Sequence, residues 1–253
     1  MNQVSGNHVD IGRLRASCGA CALSQLCLPA GIDGEELKRL DAVIQSRRPF
    51  ERGNTLFHDG MPFRHLYVVR SGTFKTYSET ESGDVQVLGF HLPGEIVGFD
   101  ALATDIHRCT AEALEHATAC EIPFDLIQDI AQQVPGLSRQ LLRVASREVV
   151  KDHEHLAMMG RKQAQERLAI FLRSLSDRHR RLHHIHESIM LSMSRQDIAS
   201  YLGLVVETVS RLFTRFEELG ILTVERKQVH IRDFAKLDEM AGEPPPTAIS
   251  AAG

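Results

Sequence analysis

The chain has 253 residues, 43% hydrophobic and 25% charged, with a formal net charge of −4. That length allows one large domain or two small ones, and the composition excludes wholesale disorder. No apolar run approaches the ~20 residues of a membrane helix. The opening residues, with Asp10, Arg13 and Arg15, lack the apolar core of a secretory signal, so a cytoplasmic location is expected. Five cysteines are too few, and odd in number, for a disulfide scaffold. In a reducing compartment, clustered cysteines point to metal or redox chemistry.

Charge is uneven along the chain. Residues 161–232 hold 13 Lys and Arg against 8 Asp and Glu, while the remainder is acidic. A basic segment on an acidic chain points to a local polyanion partner.

Residues 1–17 read as flexible. Cys18, Cys21 and Cys27 then form C-x2-C-x5-C. Three thiols so close can wrap one metal centre, and Cys109 or Cys120 could supply a fourth ligand; spacing does not choose between them. Four thiolates suit an iron–sulfur cluster or tetrahedral zinc, and a single pair with a wide third spacing leans toward iron–sulfur. The neighbours Gly19, Ala20, Ala22, Leu23, Leu26, Leu28 and Pro29 are uncharged, a cover that would limit solvent access. A short helix is expected over Gly34 to Ser46.

From Arg47 to Pro123 short β-rich pieces alternate with glycines, including Leu66–Val69, Thr73–Tyr77, Val85–Leu88 and Ile96-Val97. About eight strands at such spacing predict a small barrel or jelly roll, with Ser82-Gly83-Asp84 as a hairpin turn. A short helix follows over Phe124 to Ala131, with Pro135-Gly136 marking its end. The run from Leu137 to Met159 then contains one glycine-free and proline-free seam: Leu142, Ala145, Val149, Asp152, Leu156 and Met159 alternate at spacings of three and four. That a/d pattern predicts a helix pairing lengthwise with a second copy. Asp152 would face its twin, and two like charges in a partly dry interface cost roughly a kcal/mol or more unless neutralised. A further helix is expected over Arg161 to Leu175, a polar histidine-rich loop over residues 176–188 (His183, His184 and His186 being solvated rather than metal-bound), and a disordered tail from Gly242.

Ser194 to Leu219 reads as helix, glycine turn, helix. Ser194 and Asp197 are spaced as a capping box, Gly203 supplies the turn, and Val209, Leu212, Phe213 and Phe216 share one face of the second helix. Two short strands around Glu225-Arg226-Lys227-Gln228 complete a wing. In this layout the start of the second helix reaches base edges in the major groove. Glu207 and Arg211 share a face four residues apart, and could read one G·C pair from both sides, Arg to guanine and Glu to cytosine. Arg195, Arg215, Arg226 and Lys227 are candidate phosphate contacts. No phosphate-binding glycine loop or nucleophile motif points to an enzyme.

Four stretches in this order closely resemble the oxygen-sensing FNR (fumarate and nitrate reduction) regulators of the cyclic-AMP receptor protein (CRP) superfamily: residues 18–27, 89–100 (Gly89-Phe90-His91-Leu92-Pro93-Gly94-Glu95-Ile96-Val97-Gly98-Phe99-Asp100), Cys120-Glu121-Ile122-Pro123-Phe124, and 201–211 with Glu207, Ser210 and Arg211 as E-x-x-S-R. The resemblance implies an α+β chain: an N-terminal cluster-binding segment (1–46), a β-roll, or jelly-roll, sensor domain (47–134), a dimerisation helix (135–160), a winged helix-turn-helix (161–241) and a tail (242–253). It implies that Cys120 is the fourth ligand of a 4Fe–4S cluster, that oxygen converts this to a 2Fe–2S form and destroys it, and that Cys109 is not a ligand. It further implies a cluster-dependent homodimer that activates or represses anaerobic promoters, with Glu207, Ser210 and Arg211 reading palindromes of TTGAT and ATCAA separated by four base pairs (TTGAT-N4-ATCAA), and contacts to RNA polymerase through exposed loops such as Ser82-Gly83-Asp84. Asp152 matches a dimer-helix aspartate of that family. Two rivals use the same features. A zinc or thiol redox regulator could use the same cysteines. A cyclic-nucleotide sensor would use Gly94-Glu95 and Arg108, although Cys109 stands where such a pocket has a hydroxyl residue.

Overall fold

The computed structural model describes residue 18 and residues 21–30, 32, 34–44, 46–183 and 187–242. The expected flexible start, the histidines at 184 and 186 and the tail beyond residue 242 lie outside the described residues, as does the side chain of His183.

Alternating apolar positions and glycine turns give eight roll strands: β1 (Ser46–Phe50), β2 (Thr55–Phe57), β3 (His65–Ser71), β4 (Phe74–Glu79), β5 (Val85–His91), β6 (Ile96–Val97), β7 (Thr110–Ala113) and β8 (Ala117–Pro123). They form two antiparallel sheets, ordered β1-β8-β3-β6 and β2-β7-β4-β5. Phe50, Phe57, Val69 and Phe74 fill the space between them, against the small residues Ala111, Ala113, Ala117 and Ala119. The bend at Gly72 has φ +72°, and a Cβ there would stand 2.6 Å from that of Ala117, so only glycine lets these strands close.

The outer face of the first sheet carries α1 (Gly34–Val43), α2 (Phe124–Gln133) and the first turns of α3 (Pro135–Arg161), which share a core of Leu28, Leu40, Leu66, Ile122, Ile127 and Leu137. The first helix ends before Ser46, earlier than expected, because Ser46 to Phe50 pair with β8. Pro135 opens α3 rather than closing α2; at the first helical position its missing N–H costs nothing.

The larger departure is α4 (Ala164–His183), which runs through most of the stretch expected as a loop. Polarity misled there. Ser176 is buried, Arg173 and Asp177 pair along the helix at 2.8 Å, and Arg178 turns inward to the roll. The remaining elements are β9 (Ser188–Met190), α5 (Arg195–Leu202), α6 (Val206–Glu218), β10 (Leu222–Glu225), β11 (Gln228–Ile231) and α7 (Phe234–Ala241). Their core is continuous with the roll, since Val87, Phe90 and Leu92 pack in the same cluster as Leu168, Phe171, Leu202 and Phe213.

Candidate thiol centre and nucleic-acid interface

Residues 21–30 follow one another in tight turns, with Ser24 N–H donating to Cys21 O (3.0 Å), Cys27 N–H to Leu23 O (3.0 Å) and Ala30 N–H to Cys27 O (3.1 Å). Two bonds anchor this coil. Cys18 N–H donates to Asp41 Oδ1 of α1 (2.9 Å), and the Gln140 Nε2 of α3 donates to Cys27 O (3.2 Å). From the other side β8, paired with Val68 of β3, presents Cys120. Cys18, Cys21, Cys27 and Cys120 thus line one cavity, whose other walls include Leu23, Leu28, Pro29, Ile44, Val68 and Ile122. It is small, about 30 Å³, room for one or two waters. Burial, with Asp41 adding, pushes the Cys18 thiol up to about 12. Burial raises Cys27 too, despite a backbone bond from Leu28, and Cys120, Cys18 and Cys21 add to the effect. Among the described residues, no three His, Cys, Asp or Glu side chains are gathered as a single ion requires. Cys109 does not line this cavity; it packs between the two sheets, where burial and the neighbouring Asp100 raise it.

The helix-turn-helix is built as the residues demand. Ser194 Oγ accepts from Asp197 N–H (3.1 Å) and the Asp197 carboxylate accepts from Ser194 N–H (2.9 Å), a complete capping box. Gly203 ends α5 at φ +61°, and a Cβ there would meet the Met159 side chain at 2.3 Å. Val209, Phe213 and Phe216 bury one face of α6, while Glu207, Ser210, Arg211 and Arg215 stand exposed on the other. Ser210 Oγ donates to Val206 O (2.9 Å). Glu207 and Arg211 make no ion pair among the described residues, so neither charge is spent on the other. Arg226 and Lys227 form the exposed wing tip, Arg226 in left-handed backbone at φ +59°. Arg195 differs from the other basic residues: its guanidinium lies 3.3 Å from the centre of the Phe213 ring.

The expected seam lies along the solvent side of α3. Leu142 is 71% exposed, Val149 52% and Leu156 67%, and Asp152 is exposed among them. Lys151 pairs with Glu148 (3.0 Å) rather than Asp152, and the His155 ring lies 4.3 Å from that of Tyr201, tilted by 30°. Ala145 is half-buried, and Met159 turns toward Gly203 of its own chain, so the seam's last position serves an internal contact.

Some residues beyond the sequence reading matter here. Gln140 is a buried amide on the apolar face formed by Leu137 and Val144, and its polarity at that spacing was a legible signal. Glu95, at the β5–β6 turn, is clasped by Arg178 of α4: Arg178 Nε donates to Glu95 Oε1 (2.9 Å), and the same guanidinium donates to Phe90 O. Burial alone would raise the Glu95 carboxyl, but Arg178 and Lys151 outweigh it and hold it at about 2. Only the fold brings these partners together.

Comparison with known proteins follows the same division. The cyclic nucleotide-binding domain family matches residues 47–134, and the Crp-like helix-turn-helix domain family matches residues 166–240. The chain is 43% identical to the transcriptional activator protein anr of Pseudomonas aeruginosa, over 90% of this chain and 93% of that protein. It is 41% identical to the fumarate and nitrate reduction regulatory protein of Vibrio cholerae, over 94% and 95%. Among solved structures it resembles FixK2 from Bradyrhizobium japonicum, with a TM-score of 0.72 and 27% identity, over 80% of this chain and 98% of that one.

Proposed function

Since the chain belongs to the FNR-type transcription regulators of the CRP/FNR superfamily, a non-enzymatic family, we propose that it is an oxygen-responsive regulator of anaerobic promoters, active as a homodimer when Cys18, Cys21, Cys27 and Cys120 hold a 4Fe–4S cluster. The observation that carries this reading is the meeting of four thiols, one of them distant in sequence, on a single apolar cavity. Cys18, Cys21, Cys27 and Cys120 would hold the cluster, which would supply an oxygen-labile centre. The donor set suits it. Four thiolates also suit tetrahedral zinc, and metal analysis separates the two readings. Cyclic-nucleotide sensing is disfavoured by Glu95, whose carboxylate is already taken by Arg178.

The chain's own residues relay the state of the thiol centre. The cavity is small, so a cluster held there would require the coil of residues 21–30 to shift. The coil is held by turns rather than by a strand ladder. Gln140 holds the Cys27 carbonyl and sits on the buried face of α3, opposite the exposed seam. A shift of the coil therefore bears on the helix that pairs the two chains, offsetting the repulsion between two Asp152 carboxylates. The dimer then sets two α6 helices about one turn of DNA apart, ~34 Å. Glu207, Ser210 and Arg211 read the G·C pair of TTGAT, and Arg215, Arg226 and Lys227 contact phosphates. Arg195, flat on Phe213, is the weakest phosphate contact of the set. The exposed Ser82-Gly83-Asp84 turn between β4 and β5 is offered to RNA polymerase. No helix among the described residues is long and apolar enough to cross a membrane, in keeping with a regulator that works on DNA in the cytoplasm.

The test is anaerobic purification, followed by iron and acid-labile sulfide per chain and the visible spectrum before and after air. About four irons and four sulfides, with colour that bleaches in air, are expected. Cys120→Ser should lose the centre and Cys109→Ser should keep it. A colourless zinc protein, or equal loss in both variants, would overturn the assignment.

A further inference from the structure

The strand β5 lies at the outer edge of the sheet β2-β7-β4-β5, and an open edge presents unpaired backbone groups. Here Ser200 of α5 covers it. Ser200 Oγ donates to Val85 O (2.9 Å) and accepts from Val87 N–H (2.8 Å), and Gln86 Nε2 donates to Ser200 O. Beside it Lys75 Nζ of β4 meets Asp197 Oδ1 at 2.9 Å, with both side chains largely buried. Apolar packing runs underneath, because Val87, Phe90 and Leu92 share a core with Phe171 and Leu202. The Tyr201 ring stands 5.3 Å from Phe90 and 4.3 Å from His155 of α3.

The far end of α5 has a second attachment. Arg167 Nη2 donates to Met159 O (2.8 Å), its Nε to Lys162 O (2.9 Å) and its Nη1 to Leu202 O (3.0 Å), tying the end of α3, the linker and the last turn of α5. A hinge at Arg167 alone would let the helix-turn-helix swing about the end of α3. The roll contacts along α5, at Asp197 and at Ser200, oppose that swing, and hold α5, with α6 packed on it, against the roll that also carries α3.

We propose that this contact between β5 and α5 is the positioning element that sets the half-site spacing the dimer accepts. The inference rests on the DNA site proposed above. Once two α3 helices pair, the separation of the two α6 helices is decided by how rigidly each is held to its own α3. One base pair more or less in the spacer displaces a half-site by about 3.4 Å and rotates it by about 35°. A clamped reader cannot follow that displacement, whereas one hinged only at Arg167 can. Lys75 and Ser200 bond across the roll junction and do not lie on α6, which carries Glu207, Ser210 and Arg211, so their removal acts on spacing and not on base reading.

The experiment uses the full chain, purified without oxygen, and three duplexes in which TTGAT and ATCAA are separated by three, four or five base pairs. Affinities are measured at one salt concentration for the wild type, for Lys75→Met/Ser200→Ala, and for the milder Ser200→Ala. The wild type should prefer the four-base-pair spacer. The double variant should lose about tenfold of that preference, the worth of a typical base-pair mismatch, mainly by gaining on the other two duplexes, and the single variant should fall between. Melting temperature and iron content confirm that each variant is folded and loaded. An unchanged preference in both variants, or an equal loss on all three duplexes, would overturn the inference and leave the proposed DNA site standing. A wild type that binds none of the duplexes would remove the proposed site, and the inference with it.

Discussion

Cys109 and Cys120 are the same residue type, and their fates differ because Cys109 lies in the bend just before β7 of the second sheet, whereas Cys120 lies on β8 of the first. Cys109 joins the core between the sheets, while Cys120 looks outward over the first sheet toward the cysteine coil. Spacing in the sequence carried no trace of that difference; it follows from which face each residue shares with which neighbours. His91 is a second case. It is buried, with Nε2 beside Thr76 Oγ1 at 3.1 Å, and burial, with Lys151 adding, lowers its pKa from 6.5 to about 3. A histidine whose folded value lies below its unfolded one contributes stability that is complete above about pH 6.5 and fades as pH falls toward 3. Thermal melts of the cluster-free chain should therefore fall from pH 7 to pH 5, and His91→Gln should flatten that slope. A variant with the same slope as the wild type would show that His91 is not its source.

At the scale of elements, α3 has two faces that were legible to different degrees. Its apolar seam followed from spacing alone, and Leu142, Val149 and Leu156 stand exposed along it. Its buried face was less visible, because Leu137, Gln140 and Val144 acquire meaning only from the coil and sheet they touch. Asp152 has no salt-bridge partner among the described residues, which leaves its charge to act on a second copy. Asp152→Ala should tighten self-association by about tenfold, the worth of roughly 1.4 kcal/mol, and give a dimer in air by sedimentation. A variant still monomeric in air would end the repulsion argument. The helix α4 was misjudged for the opposite reason. Its Arg178, Arg173 and Ser176 look like loop residues by polarity, yet each finds a partner on the roll, along the helix or in the interior.

Over the whole molecule, the proposed relay from thiols to DNA would run through Gln140, whose bond to Cys27 O joins α3 to the cysteine coil. If its bond to Cys27 carries the message, Gln140→Met should still assemble the centre, yet narrow the gap between the dimerisation constants of the loaded and cluster-free chains. A merely structural role would weaken both constants alike and keep the gap, which sedimentation with and without iron would reveal. Fold class was readable from the residues, because the glycine-punctuated strands and the capped helix-turn-helix are local patterns with local physical causes, and the family from the resemblance of four stretches to known regulators. The surface of α6 was equally readable, since helical period decides which residues are left outside. What only the tertiary structure decided were the meetings of residues far apart: Cys120 with the coil, Gln140 with Cys27, Arg178 with Glu95, and Ser200 with the edge of β5. Each is a contact between elements that close on one another only when their apolar faces are buried together, and sequence periodicity describes a face without naming its partner.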